Sequence, residues 1–127
     1  AMTNPVEKIS DSELLILRVL WDAKRPMPVA DIRKAIRLRN GWEDSTVKTL
    51  LYRLLAKGVV TQEKRDVFYY SPAVSEKEYN DYTTEKLIDR LYNGSAKNLI
   101  ASFLSSKKLS DDDIAELRNM FRDGEHT

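Results

Sequence analysis

Apolar residues recur at helical spacing from the first capping signal onward. Ser10, followed three residues later by Glu13, has the form of a capping box. Leu14, Leu17, Leu20 and Trp21 then fall on one side of a helix predicted over 11–23. Pro26 and Pro28 force a break, and Pro28 suits the first turn of a second helix, over about 29–38, that turns Val29, Ile32 and Ile36 inward. Asn40 and Gly41 end that helix and Trp42 plugs the turn. Asp44 or Ser45 then caps a third helix, which carries Val47, Leu50, Leu51, Leu54 and Leu55, runs to Lys57 and is stopped by Gly58. The pattern changes at Val59. Val59, Val60 and Thr61, a polar stretch from Gln62 to Asp66, and then Val67, Phe68, Tyr69 and Tyr70 are the composition of two strands and their turn.

Three helices joined by short turns and followed by a β-hairpin have the order of a winged helix-turn-helix, in which the third helix enters the major groove of a duplex. A second region follows. Ser75 with Glu78 forms another capping box before a helix bearing Tyr79, Tyr82, Leu87, Ile88, Leu91 and Tyr92 mainly along one stripe, and Asn93 and Gly94 end it. Ser95 caps a short apolar helix with Leu99, Ile100, Phe103 and Leu104, and Ser110 with Asp113 caps a last one with Ile114, Leu117, Met120 and Phe121. The expected fold is therefore mainly α: a winged helix-turn-helix of three helices plus a hairpin wing over 1–74, then a three-helix dimerisation region over 75–127.

About 50 residues in three amphipathic helices hold too little core to fold alone, so their faces need a partner. A second copy of the chain is the simplest one, with Tyr79, Tyr82, Ile88, Leu91, Leu99, Phe103, Leu104, Ile114, Leu117 and Phe121 as the candidate dimer face. The competing arrangement folds these helices back on the winged helix of the same chain. A dimer also suits DNA, because one recognition helix reads few bases and two-fold symmetry repeats the contacts on a second half-site.

Charge sharpens this division. The net charge of +1 conceals 13 Lys and Arg against 9 Asp and Glu over 1–73, and 8 against 11 over 74–127. Within 33–57, Arg33, Lys34, Arg37, Arg39, Lys48, Arg53 and Lys57 face only Glu43 and Asp44, a concentration suited to phosphates as well as to any solvated helix face. On the third helix Ser45, Thr46, Lys48, Thr49, Tyr52 and Arg53 share the side not taken by apolar residues. Hydroxyls and long cations there can reach phosphates and base edges without a carboxylate to repel them. Ser45, Thr46, Lys48, Thr49 and Arg53 are the candidate DNA contacts, with Lys64 and Arg65 at the hairpin tip placed for a neighbouring phosphate, although exposed turns are often charged too.

The remaining composition excludes function classes. With no cysteine and one histidine, His126, close to the end of the chain, disulfides, thiolate metal sites, cysteine nucleophiles and histidine-based triads cannot be assembled, so neither an enzyme nor a metal or cofactor site is expected. Asp111, Asp112 and Asp113 read as helix-start charges. No run approaches the roughly 18 apolar residues of a membrane span, and the first residues lack a secretion-signal series, so no membrane contact and a cytoplasmic location are expected.

Five stretches carry a resemblance to a known family: ISDSELLILRVLW, WEDSTVKTLLYRLLAKG, VFYYSP, LYNGSAKNLIASFL and LSDDDIAELRNM. In this order and over nearly the whole length, the chain resembles the BlaI/MecI family of bacterial antibiotic-resistance repressors. The resemblance implies an N-terminal winged helix and a C-terminal helical dimerisation region. It also implies repression of β-lactamase or related cell-wall resistance genes, relieved when a membrane sensor-protease pathway leads to cleavage of the repressor. The family's DNA-contacting helix falls on 43–57, where Glu43 and Asp44 replace the Ser-Pro of several relatives. Its cleavage point, typically an Asn-Phe bond, falls on Ser102 and Phe103, keeping the phenylalanine and not the asparagine. Cleavage, its protease and the operator therefore stay open. So do two other readings: a family member serving a transporter, metal or stress operon without cleavage, and a winged helix used only for protein interaction.

Overall fold

Ser10 and Glu13 satisfy each other's backbone at the start of the first long helix. Ser10 Oγ accepts from the Glu13 amide at 3.1 Å and Glu13 Oε1 accepts from the Ser10 amide at 2.8 Å, closing the predicted capping box. The computed structural model describes residues 4–124; His126 lies outside them. A 3-10 turn, Pro5–Lys8, leads into α1 (Asp11–Ala23), β1 (Met27–Pro28), α2 (Val29–Asn40) and α3 (Asp44–Ala56), followed by β2 (Val60–Lys64) and β3 (Phe68–Pro72). Then come α4 (Glu76–Tyr92), α5 (Ala96–Ser105) and α6 (Asp111–Gly124). The chain divides into two compact units, one ending at Thr83 and the other beginning at Thr84.

The first unit is a mainly helical winged helix-turn-helix. Its core takes Ile16, Leu17, Val19 and Leu20 from α1, Ile32 and Ile36 from α2, and Val47, Leu50, Leu51 and Leu54 from α3, closed by Val59, Val60 and Val74. Each large side chain so buried stabilises the unit by about 1.5–3 kcal/mol relative to exposure. On α1 the buried stripe is wider than the spacing of Leu14, Leu17, Leu20 and Trp21 suggested: Ile16 and Val19 are inside, while Leu14 and Trp21 are half-buried. Trp21 lies against the core, donates from Nε1 to the Val74 carbonyl at 2.9 Å and places its ring centroid 5.8 Å from that of Tyr79. Tyr79 and Tyr82, at the start of α4, also pack on this core.

Three local features differ from the sequence reading. β1 joins the hairpin as a third, edge strand, pairing Met27 with Tyr70 and Pro28 with Tyr69; two residues, one of them proline, carry no strand periodicity, and an edge tolerates the missing proline donor. The second helix continues past 38 to Asn40. There Gly41, at φ 69°, adopts the left-handed geometry that lets its amide reach the carbonyls of Ile36 and Arg37 at 3.2 and 3.0 Å. The residue before α3 is Glu43, which makes no side-chain cap bond; Asp44 is already helical, and Ala56 rather than Lys57 is the last helical residue.

Glu13 does more than cap. It is only 1% exposed, and its Oε1 also accepts from Lys57 Nζ, which donates to the Lys8 carbonyl at 2.6 Å as well. This ties the start of α1 to the end of α3. Burial pushes the Glu13 carboxyl up, but the bond from Lys57, the bonds from Ser10 and the Lys57 charge outweigh it and hold the group below its ordinary value. A carboxyl depressed on folding contributes stability in full above its unfolded pKa, about 4.3, and loses that contribution as pH falls through the folded value. Glu13→Gln is therefore expected to destabilise the protein by about 1–3 kcal/mol at neutral pH. The gap between wild type and variant should narrow below about pH 4, as read by urea unfolding across a pH series. A gap that widens on acidification would contradict the assignment.

Candidate nucleic-acid interface

Helix α3 has two chemically different sides. Val47, Leu50, Leu51 and Leu54 are buried, whereas Ser45, Thr46, Lys48, Thr49, Tyr52 and Arg53 are all exposed, Tyr52 at 73%. No carboxylate lies on the exposed side beyond the first turn, where Asp44 Oδ1 accepts from Arg37 Nη2 at 2.8 Å. Arg39 and Arg25 are likewise held, by Asp22 at 2.9 Å and Asp31 at 3.4 Å. Among the described residues, no ion pair engages Lys48 or Arg53, so their charge is available to a ligand. Thr49 Oγ1 donates to the Ser45 carbonyl at 3.0 Å, which leaves its oxygen able to accept.

The face extends further than the sequence suggested. Ser10 and Ser12, at the start of α1, look across a cleft of about 540 Å3 toward Ser45, Thr46, Thr49 and Arg53. Hydroxyls over one cation suit a sugar-phosphate backbone. Ser12 and Ser45 lie 33 residues apart and nothing in the sequence links them, so Ser12 could not have been found without the fold. At the wing, a three-residue turn separates β2 from β3, and the Arg65 amide donates to the Val67 carbonyl at 2.9 Å. Lys64 ends β2 and Arg65 begins the turn, so both stand at the tip.

The residues assigned to a dimer face are distributed unevenly. Tyr79 and Tyr82 pack on the core of the first unit. Ile88, Leu99, Ile114 and Leu117 are half-buried, and Leu91, Phe103, Leu104 and Phe121 are exposed, Leu91 and Phe121 each at 59%. No residue of α4, α5 or α6 is buried. Ile100, Leu104, Leu109, Ile114, Leu117 and Phe121 line an apolar groove of about 210 Å3 in the second unit. The Ser102–Phe103 bond lies inside α5. The Ser102 hydroxyl donates to the Leu99 carbonyl at 2.7 Å and accepts from the Tyr92 hydroxyl at 3.0 Å.

Residues 9–123 match the family described as Penicillinase repressor. The chain belongs to the penicillinase repressor family. A penicillinase repressor of Bacillus licheniformis is 30% identical over 113 residues, covering 88% of each chain. The methicillin resistance regulatory protein MecI of Staphylococcus aureus (strain N315) is 30% identical over 120 residues, covering 94% of this chain and 97% of MecI. Among solved structures, the monomeric form of Bacillus licheniformis BlaI in complex with the blaP half-operator is 32% identical. It superposes with a TM-score of 0.51 over 57% of this chain and 88% of that one.

In this penicillinase repressor family member, no helix among the described residues is long and apolar enough to cross a membrane. Nor do the described residues contain a group of three or more His, Cys, Asp or Glu side chains placed to hold a metal ion. Because Lys48 and Arg53 are exposed and unpaired, Lys48→Ala and Arg53→Ala should each change unfolding free energy by less than about 0.5 kcal/mol. Each should also reduce the salt slope of duplex binding by about 0.9 for every phosphate left without its cation. Filter binding over a salt series beside a thermal melt checks both, and an unchanged slope would remove the residue from the interface.

Proposed function

We propose that this chain is a homodimeric transcriptional repressor in which α3 of each copy reads one half of a palindromic operator and the second unit joins the copies. The exposed side of α3 carries the reading: short hydroxyls, two unpaired cations and an aromatic, with no carboxylate after the first turn. Lys48 and Arg53 can donate to phosphate or guanine, and Ser45, Thr46 and Thr49 can meet backbone and base edges at short range. The relatives' names support repression of β-lactamase or related cell-wall resistance genes, and the BlaI–half-operator complex supports one copy on each half-site. A cytoplasmic location and the absence of catalysis accompany this function.

Dimerisation is inferred from the uncovered apolar residues of the second unit. Leu91, Phe103, Leu104 and Phe121 are 43–59% exposed, so contact with their symmetry mates would gain each of them about half of the roughly 1.5–3 kcal/mol of full burial. That gain links two recognition helices, so binding at the second half-site becomes effectively intramolecular. Separating the copies then lowers operator affinity toward the non-specific range without touching α3. A cut between Ser102 and Phe103 would act in this way by dividing α5, and a protease would first have to unwind the helix. The serine in place of asparagine favours a second reading, a repressor of another operon that is released without cleavage.

Fragments of the source genome selected by the protein should share an inverted repeat and outcompete random duplex, whereas indifference to sequence would refute the repressor reading. Phe103→Asp should shift the protein from dimer to monomer in sedimentation and weaken operator binding by at least about ten-fold, with an unaltered half-site footprint at high protein concentration. A variant that stays dimeric would place the interface elsewhere.

A further inference from the structure

The wing holds its two cations in a way that core packing does not explain. Lys64 stands directly across the hairpin from Phe68, and Glu63 from Tyr69. Side chains alternate along a strand, so Lys64 and Phe68 share one face and Glu63 and Tyr69 the other. Each face carries one cation on one ring. Lys64 Nζ lies 5.6 Å from the Phe68 centroid, and the Arg65 guanidinium lies 4.8 Å from that of Tyr69, with Nη2 3.4 Å from Glu63 Oε2. Tyr70 packs on the core of the first unit, but Phe68 and Tyr69 are not among the residues that do so, and Phe68 is exposed.

Two adjacent aromatics outside the core, each under a cation, restrict side chains that otherwise lose rotamer freedom on meeting a ligand. Ordering beforehand lowers that loss. The ring, unlike Glu63, orders the guanidinium without opposing an incoming phosphate.

We propose that Tyr69 and Phe68 are positioning residues for a two-phosphate contact made by the wing, Arg65 supplying one phosphate bond and Lys64 the other from opposite faces of the hairpin. This use of the wing rests on the reading of the chain as a duplex-binding repressor. It adds that the aromatic pair sets how strongly the wing cations count.

The test uses the full chain and random-sequence duplex over a salt series, with thermal melts of every variant. Arg65→Ala and Lys64→Ala should each reduce the salt slope by about 0.9. Tyr69→Leu should weaken binding about two- to five-fold, Tyr69→Phe should bind as wild type, and Tyr69→Leu should add nothing in the Arg65→Ala background. Phe68→Leu should stand in the same relation to Lys64→Ala. Equal losses from Tyr69→Leu with and without Arg65, or no loss at all in a folded variant, would overturn the positioning role. Wild-type protein with no salt-dependent binding would instead sink the duplex reading itself.

Discussion

What this molecule can present to a duplex depends on how α3 is seated. Val47, Leu50, Leu51 and Leu54 are wholly taken up by the core, and burial on that scale exceeds anything the polar side of the helix could gain by turning inward. Residues three and four apart share a helix face, so fixing the apolar side also fixes Ser45, Lys48, Thr49, Tyr52 and Arg53 as the outward side. The Glu13–Lys57 pair then secures the far end of the helix to the start of α1. A buried ion pair of this kind adds little net stability over an apolar pair; here it joins the residue after α3 to the capping box of α1.

The two units handle their apolar residues in opposite ways. The first absorbs them, including Trp21 through its bond to the Val74 carbonyl and the tyrosines at the start of α4. The second leaves large side chains such as Leu91, Met120 and Phe121 in solvent. Net charge is +4 over residues 1–73 and −3 over 74–127, a boundary ten residues before the one between the units. A cationic surface suits a polyanion, and uncovered apolar helices suit another protein surface, so one chain carries two complementary interaction chemistries.

Much of this was legible because local chemistry dictates it. The Ser10–Glu13, Ser75–Glu78 and Ser110–Asp113 boxes all form, and glycine after Asn40 ends α2 through a left-handed turn. What escaped depends on contacts distant in sequence. Glu13 has the spacing of a capping residue, and nothing in that spacing points to Lys57, 44 positions away. Met27–Pro28 is too short to show alternation, so its pairing with β3 emerges only from the folded sheet. The aromatic stripe of α4 looks the same whether a core or a partner covers it; the fold gives Tyr79 and Tyr82 to the core and leaves Leu91 exposed. For the exposed side of α3 the sequence sufficed, since helical periodicity alone separates its two faces.

The most direct test of the proposal that the second unit pairs two recognition helices is a phasing experiment on the selected operator. The account predicts that moving the half-sites apart by half a helical turn, about 5 base pairs, abolishes tight binding, while a single half-site keeps its weak binding unchanged. Equal affinity for both spacings would show that the two helices are not rigidly paired and would contradict the account.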